Sequence, residues 1–496
     1  MLTFSGELTH GHQFKTFEVS TGTQRLCLSG TTLKPGFLYV YLYDARQQLR
    51  ASILLQKPEK TVVIGHKNAS LGGIAGEIPP GRWTVHIYNL EGEDRNHNPM
   101  LYRIEVTTEH LAGDELDRIL IPTVPNLNAD NEIIFDYRAI KNPASGWYRG
   151  DMHAHTVLSD GHNTLEAAVA IIKRQQLDFI FLTEHNICHP ALPDCADTLV
   201  LPGIEITTDK GHFNVHGPQK GLAMCDADCS SEALIHQGLA IANSTQQPGT
   251  MQNAVNGNIS INHPMMKPWH WQYASMPLSH VHTMEICCDP TWSTSPAATE
   301  SALNVLSTLW NNGQRIYAVG GSDSHLTPQE RNPQATEPSI YGDPATFVFS
   351  HGLCGEGILT GLRQGHVYIE RRCGLMVNIN QGHVLPGQDV GDREVNIHVA
   401  VTDRTALYYA ECVADGKVIS CGQIMTEGID FKTDMRHYAW VRIDIRRGDL
   451  PHAPGQVGGE FEAMVNPVFN GQRGHFAQPK INTWGELQAA MNRNGH

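Results

Sequence analysis

Short apolar runs separated by turn residues fill roughly the first 110 positions. Arg25-Leu-Cys-Leu28, Phe37-Leu-Tyr-Val-Tyr-Leu-Tyr43, Ser52-Ile-Leu-Leu55, Thr61-Val-Val-Ile64, Trp83-Thr-Val-His-Ile-Tyr88 and Tyr102-Arg-Ile-Glu-Val106 carry the β-branched and aromatic residues of strands. Glycine, proline and asparagine break them apart, so residues 1–110 are predicted to form a β-sandwich that includes a polar loop over 91–99. Residues 111–146 are expected to be a linker rich in proline and asparagine. From Trp147 the period changes. Leu165, Ala168, Val169 and Ile172 keep the spacing of a helix laid on a core, with Asn163 as its cap and Glu166 reaching back. Asp178-Phe-Ile-Phe-Leu-Thr-Glu-His185 is then a short apolar strand that ends in polar residues. Strands and helices continue to alternate over 147–372, which favours an α/β domain with a parallel barrel. Beyond it, Val395-Asn-Ile-His-Val-Ala-Val401 and Tyr438-Ala-Trp-Val-Arg-Ile-Asp-Ile445 return to strand patterns. Residues 373–496 are expected to be a second β domain, closed by a short helix that Thr483-Trp-Gly-Glu486 opens.

Composition narrows the class. A chain of 496 residues is too long for one core, and 41% hydrophobic with 18% charged residues is ordinary globular usage. No apolar run approaches the ~20 residues that span a bilayer. The start, Met1-Leu-Thr-Phe-Ser-Gly-Glu, lacks a basic stretch followed by an apolar one, so a cytoplasmic protein without membrane attachment is the expectation. A formal charge of -15 argues against long contact with a nucleic acid backbone, and a small-molecule substrate is expected instead. The 11 cysteines include no Cys-x-x-Cys, and neither Cys287-Cys288 nor Cys225 with Cys229 has zinc spacing, so they are expected to be reduced, inert thiols. Oligomeric state is not legible.

The candidate chemistry lies at strand ends. In Arg149-Gly-Asp-Met-His-Ala-His-Thr156, His153 and His155 are two apart and share a face of any extended segment, a geometry suited to a metal. Asp160 follows in a Ser-Asp-Gly turn, and His185 and His263 each close an apolar run. Glu205 stands at another strand end, where a buried carboxylate beside histidines calls for a cation. Gly211-His-Phe-Asn-Val-His-Gly217 offers His212 and His216 on one face, and periodicity does not choose between them. Glu285 and Asp289 could reach the site, with core-end and loop roles as the favoured expectation. Gly321-Ser-Asp323-Ser-His325 repeats the two-residue spacing with a carboxylate.

Taken in order, His153-x-His155, Ser159-Asp160-Gly161, Thr183-Glu184-His185-Asn186, Gly203-Ile-Glu205, His216, Asn262-His263-Pro264 and Gly321-Ser-Asp323-Ser-His325 resemble the motifs of the PHP (polymerase and histidinol phosphatase) metallohydrolases. More narrowly, the layout resembles the carbaryl-hydrolase-like branch, in which β domains flank the core. The resemblance is strong over 149–372 and weak in the flanks. It implies a distorted (β/α)7 barrel between N- and C-terminal β-sandwich-like domains. It also implies that His153, His155, Glu205 and Asp323 hold one divalent ion, that Glu205, His216 and His263 hold a second, and that Asp160, His185 and His325 hold a third. Family spacing favours His216 over His212, which is left a supporting or surface role. Nitrogen and oxygen ligands without thiolate suit Mn, Fe or Zn.

The expected activity is hydrolysis by a hydroxide shared between two ions, with a small phosphate ester or nucleotide as the favoured, anionic substrate. His185 or His325 is the candidate general acid if the third ion is absent. Arg149 and Arg331 are candidates for holding anionic oxygens. A carbamate or carboxylic ester hydrolase would use the same centre, and a non-catalytic carbohydrate- or protein-binding module is the alternative from another class.

Overall fold

The structure is a computed structural model, described over residues 1–33, 36–56, 58–90, 99–110, 121–223, 230–243, 255–451 and 458–494. The loop expected at 91–99 lies almost wholly outside the described residues, as do positions 111–120 of the expected linker and the pair Cys225 and Cys229.

Alternation builds the N-terminal region. Along Arg25–Thr32 every second side chain is buried, as a strand covered on one face requires. Two antiparallel four-stranded sheets face each other. One orders Leu2–Leu8, Met100–Glu109, Arg25–Thr32 and Lys60–Gly65; the other orders Gly11–Val19, Gly81–Asn89, Leu38–Tyr43 and Leu49–Leu55. Leu28, Val40, Ile53, Trp83 and Ile104 form the core between them.

The central region is a curved mixed sheet. Gly146–Asp151, Phe179–Leu182 and Leu199–Thr208 run parallel. Gly211–His216 then returns antiparallel to the third of these, and Asn258–Ile261 is antiparallel to Gly211–His216. Thr283–Cys288 and Tyr317–Gly321 continue the sheet in parallel. On the other side of Gly146–Asp151 lie Ala345–Ser350 and Val367–Glu370, both added antiparallel. The sheet curls until Ala154 bridges Ser324, with Asp323 N–H donating to His153 O at 2.8 Å.

The expected distorted (β/α)7 barrel is therefore not shown by the described residues, which form a strand-rich mixed sheet with few helices. The described helices of this region are Leu165–Arg174, Ser231–Ile241, Ser295–Asn311 and Gly355–Gln364. No helix separates Leu199–Thr208 from Gly211–His216, because Asp209-Lys210 closes a two-residue hairpin in which Gly211 takes a φ of 109°. Thr164, not Asn163, caps the first helix; its hydroxyl accepts from Ala167 N–H at 3.2 Å, while the Asn163 amide donates to Leu326 O.

The C-terminal region continues the same sheet. Glu460–Phe469 pairs with Val367–Glu370, and Trp440–Arg447, Tyr408–Ala414 and Lys417–Gln423 follow outward. A separate three-stranded sheet of Leu375–Ile379, Glu394–Val401 and Ile429–Asp434 packs on them through Ile397, Val399, Phe431 and Ile443. The described cysteines form no disulfide, and burial pushes the thiols of Cys188 and Cys287 up to about 12. No helix among the described residues is long and apolar enough to cross a membrane.

Candidate metal centre

One rim of the curved sheet gathers eight of the nine expected ligands. His153 and His155 lie just beyond Gly146–Asp151, His185 beyond Phe179–Leu182, His263 beyond Asn258–Ile261, and Asp323 and His325 beyond Tyr317–Gly321. Glu205 stands within Leu199–Thr208, and Asp160 comes from the turn after the first strand. The chain bends sharply at the rim, with His263 at φ 29° and Asp323 at φ 49°. Residues outside the glycine class hold this left-handed region only where their surroundings fix it. Asp151 does part of that fixing: its buried carboxylate accepts from the backbone N–H groups of His153, Ser322 and Gly342 at 3.1, 3.0 and 2.8 Å.

Glu205 is the hub. Its carboxylate is fully buried, and five imidazoles face it: His185 at 2.8 Å, His212 at 3.1 Å, His153 at 3.2 Å, His155 at 3.5 Å and His263 at 3.6 Å. Asp323 Oδ1 lies 3.2 Å from His155 Nε2 and 3.3 Å from His153 Nε2. Asp160 Oδ1 lies 3.3 Å from both His185 Nε2 and His325 Nε2. Despite these approaches, His153 Nε2, His155 Nε2 and Glu205 Oε2 are buried without a hydrogen bond among the described residues. Nitrogen and oxygen lone pairs aimed at a common point, too misaligned to bond one another, are the expected geometry of ligands around a cation. Donor atoms of His155, Asp160, His185 and His325, of His153, His155 and Glu205, and of His185, Glu205 and His212 each fall within 4.8 Å of one another.

Charge and hydrogen bonding orient these groups. Glu285 Oε1 lies 2.9 Å from His153 Nδ1, and its Oε2 accepts from His263 N–H at 2.9 Å. A proton on Nδ1 leaves the Nε2 lone pair facing Glu205 and Asp323. Asn262 donates to Glu205 Oε1 at 2.9 Å. Burial opposes a charge on His185, yet Asp160 and Glu205 outweigh it and hold the imidazole well above its ordinary value. The same balance, with Asp160 the main carboxylate, brings His325 up to about 9. His155 goes the other way, down to about 4, because burial is joined by the neighbouring charges of His325 and His185. Burial resists the charge on Glu205 as well, but His153, His185 and His212 keep it well below the usual carboxylate range.

Three of the expected site residues, His216, Arg149 and Arg331, lie outside the cluster and its cavity. His216 is not in the cluster: its Nε2 donates to Met152 O at 2.7 Å, its Nδ1 accepts from Asn258, and its ring packs on Phe181. His212 occupies the place instead. The returning strand runs antiparallel, so its first residues reach the rim, with His212 opposite Thr207 and His216 opposite Gly203. The guanidinium of Arg149 donates to Gln175 O and to Gly342 O, and so braces the sheet away from the cavity. Arg331 is exposed, donates to Thr336 O at 3.2 Å, and does not line the cavity. Glu285, for which a core-end role was the favoured expectation, supports His153 directly from within Thr283–Cys288.

No family model matches the chain, and no curated protein matches it. One solved structure, a two-domain protein containing a predicted PHP-like metal-dependent phosphoesterase from Bacteroides vulgatus ATCC 8482, aligns at 15% identity over 71% of this chain and 99% of that one. The TM-score is 0.34, too low to assign a fold or an activity to this chain.

A cavity of about 350 Å³ opens over the cluster. Asp160, His185, Glu205, His212, His263, Asp323 and His325 form its floor, and Phe37, Met266, Trp269, Trp292 and Leu326 form much of its wall. Trp269 and Trp292 meet edge to face with centroids 5.5 Å apart. Asp289 also lines the cavity, and burial, opposed by Thr291 and reinforced by Asp323, raises its carboxyl to about 6. Among the described residues no lysine or arginine does so.

Proposed function

We propose that this cavity is the active site of a divalent-metal-dependent hydrolase whose favoured substrates are small phosphate esters or nucleotides. His153, His155, Glu205 and Asp323 would hold one ion, Glu205, His212 and His263 a second, and Asp160, His185 and His325 a third. The observation that carries the reading is a fully buried Glu205 ringed by five imidazoles, with ligand atoms left unbonded. Uncompensated, a buried carboxylate of this kind costs several kcal/mol.

Bound divalent ions lower the pKa of water from 15.7 towards ~7 and take up charge that develops on a phosphoryl or carbonyl oxygen. The chain supplies the arrangement. Glu285 sets the tautomer of His153, and Asn262 fixes the Glu205 carboxylate. His325, 27% exposed against 6% for His185, is the better placed of the two to pass a proton to a leaving group where Asp160 and its partners hold no ion.

A second reading, hydrolysis of a carbamate or carboxylic ester, is favoured by the wall of Phe37, Trp269 and Trp292 and by the lack of a lining cation among the described residues. Metal content of the wild type and of Glu205→Gln tests the shared premise; the variant should lose metal and activity together. Chromogenic phosphate mono- and diesters assayed beside aryl carbamates and carboxylic esters then separate the substrates. Activity on carbamates alone would remove the phosphoester reading, and a wild-type chain that binds no divalent ion would remove both.

A further inference from the structure

The N-terminal sandwich reaches the metal centre at three points. Lys60, the first residue of Lys60–Gly65, sends its ammonium to the carbonyl oxygens of Leu158, at 3.4 Å, and Ser159. Those carbonyls belong to the turn that presents Asp160 to His185 and His325. Phe37 lies with its ring 5.3 Å from that of His185 and walls the cavity. Tyr41 donates to Asn186 O at 3.2 Å, and the Asn186 amide donates to Tyr39 Oη at 3.2 Å and to Thr207 O at 3.0 Å. Thr207 Oγ1 in turn is 2.6 Å from His185 Nδ1. A sandwich that only packed against the core would not need an ammonium and two phenols at these places.

We propose that the sandwich is a working part of the active site, with Lys60 a positioning residue for Asp160 and Phe37 a specificity residue for the group that the substrate carries beyond its reacting centre. The inference rests on the metal-dependent reading above. A lysine that ties two successive carbonyls restrains the turn by charge-assisted hydrogen bonds, so the carboxylate one residue on meets both imidazoles without having to be ordered by the ion itself. Phe37 lines the same cavity as Trp269 and Trp292 and adds a flat apolar face to it.

Lys60→Met, Lys60→Arg and Phe37→Ala in the full chain test this, with Arg82→Ala, from an exposed pair with Glu18 in the same sandwich, as control. Titration with Mn(II) should show the weakest-held ion bound about tenfold less tightly in Lys60→Met. Its kcat should fall about tenfold with KM unchanged, and Lys60→Arg should restore both. Phe37→Ala should raise KM for an aryl ester about tenfold, leave KM for the methyl ester unchanged, and keep the metal content of the wild type. Wild-type Mn(II) affinity in Lys60→Met, or a loss that Lys60→Arg does not reverse, overturns the positioning role while the metal reading stands. If Lys60→Met does not fold, Lys60→Gln, which keeps a neutral donor, takes its place with the same expected loss of Mn(II) affinity and the same refuting outcome, and an unchanged KM ratio in Phe37→Ala overturns the specificity role. A wild type that binds no Mn(II) overturns the metal reading and this inference with it.

Discussion

Replacing His216 and His212 separately distinguishes two roles held by identical side chains four residues apart. His216→Ala removes a fully buried ring and both of its hydrogen bonds, to Met152 O at 2.7 Å and from Asn258 at 3.0 Å. It also removes a contact with Phe181, whose ring centroid is 4.6 Å away. Each hydrogen bond contributes about 1 kcal/mol, and a buried carbonyl left unpaired costs about 1–3 kcal/mol more. With the vacated volume added, destabilisation of about 3–5 kcal/mol is expected. Urea denaturation should show it as a lower midpoint, while metal content per folded chain stays that of the wild type. His212→Ala should behave in the opposite way. It takes an imidazole 3.1 Å from Glu205 out of the cavity floor, so metal affinity should fall tenfold or more, on the order of magnitude seen even for groups that only support a ligand. Loss of metal from His216→Ala, with retention in His212→Ala, would refute the assignment.

Other outcomes follow from the same geometry. A methyl group at Gly321 would lie 2.5 Å from His153 Cβ and 2.6 Å from Glu285 Oε1, so Gly321→Ala should displace His153 and weaken metal binding; wild-type affinity by calorimetry would count against the packing described. Burial holds His216 down to about 3 in the folded chain, against about 6.5 in an unfolded one, so the unfolded chain takes up the proton first on acidification. The stability it contributes is complete above pH ~6.5 and is lost at about 1.4 kcal/mol per unit as pH falls towards 3, or about 2 kcal/mol between pH 7 and pH 5. Urea midpoints at the two pH values, compared with His216→Gln, should show that slope only in the wild type. Arg149→Gln should cost about 1–3 kcal/mol of stability, because Gln175 O and Gly342 O lose a charged donor, and should leave KM unmoved. A raised KM with unchanged stability would return Arg149 to substrate binding.

The sandwich and the rim were legible in the sequence for different reasons. Alternation in Arg25–Thr32 records a strand with one covered face, and it needs no knowledge of its partners. His153 and His155 were legible because residues two apart in an extended segment share a side. His216 misled for another reason, since the family spacing and not the periodicity favoured it over His212. Periodicity places His212 and His216 on one face, but the antiparallel return decides which of them arrives at the rim, and direction is a property of the Asp209-Lys210 hairpin. The alternation of strands and helices expected over 147–372 is interrupted at that same turn. Arg149 stands four positions before His153, yet its guanidinium donates to Gln175 O and Gly342 O and does not line the cavity. Lys60 and Phe37 left no local trace at all, since what makes them relevant is a neighbour about a hundred or more positions away.

The unbroken ladder from Val367–Glu370 into Glu460–Phe469 bears on how this architecture can be cut and pasted. Ending the chain after Arg372 would remove Glu460–Phe469 and leave Val367–Glu370 as an open, apolar border ready to recruit a stranger's strand. The last quarter of the polypeptide is thus less an appendage than a permanent closure, and the ladder it carries ends only at the outer border, Lys417–Gln423.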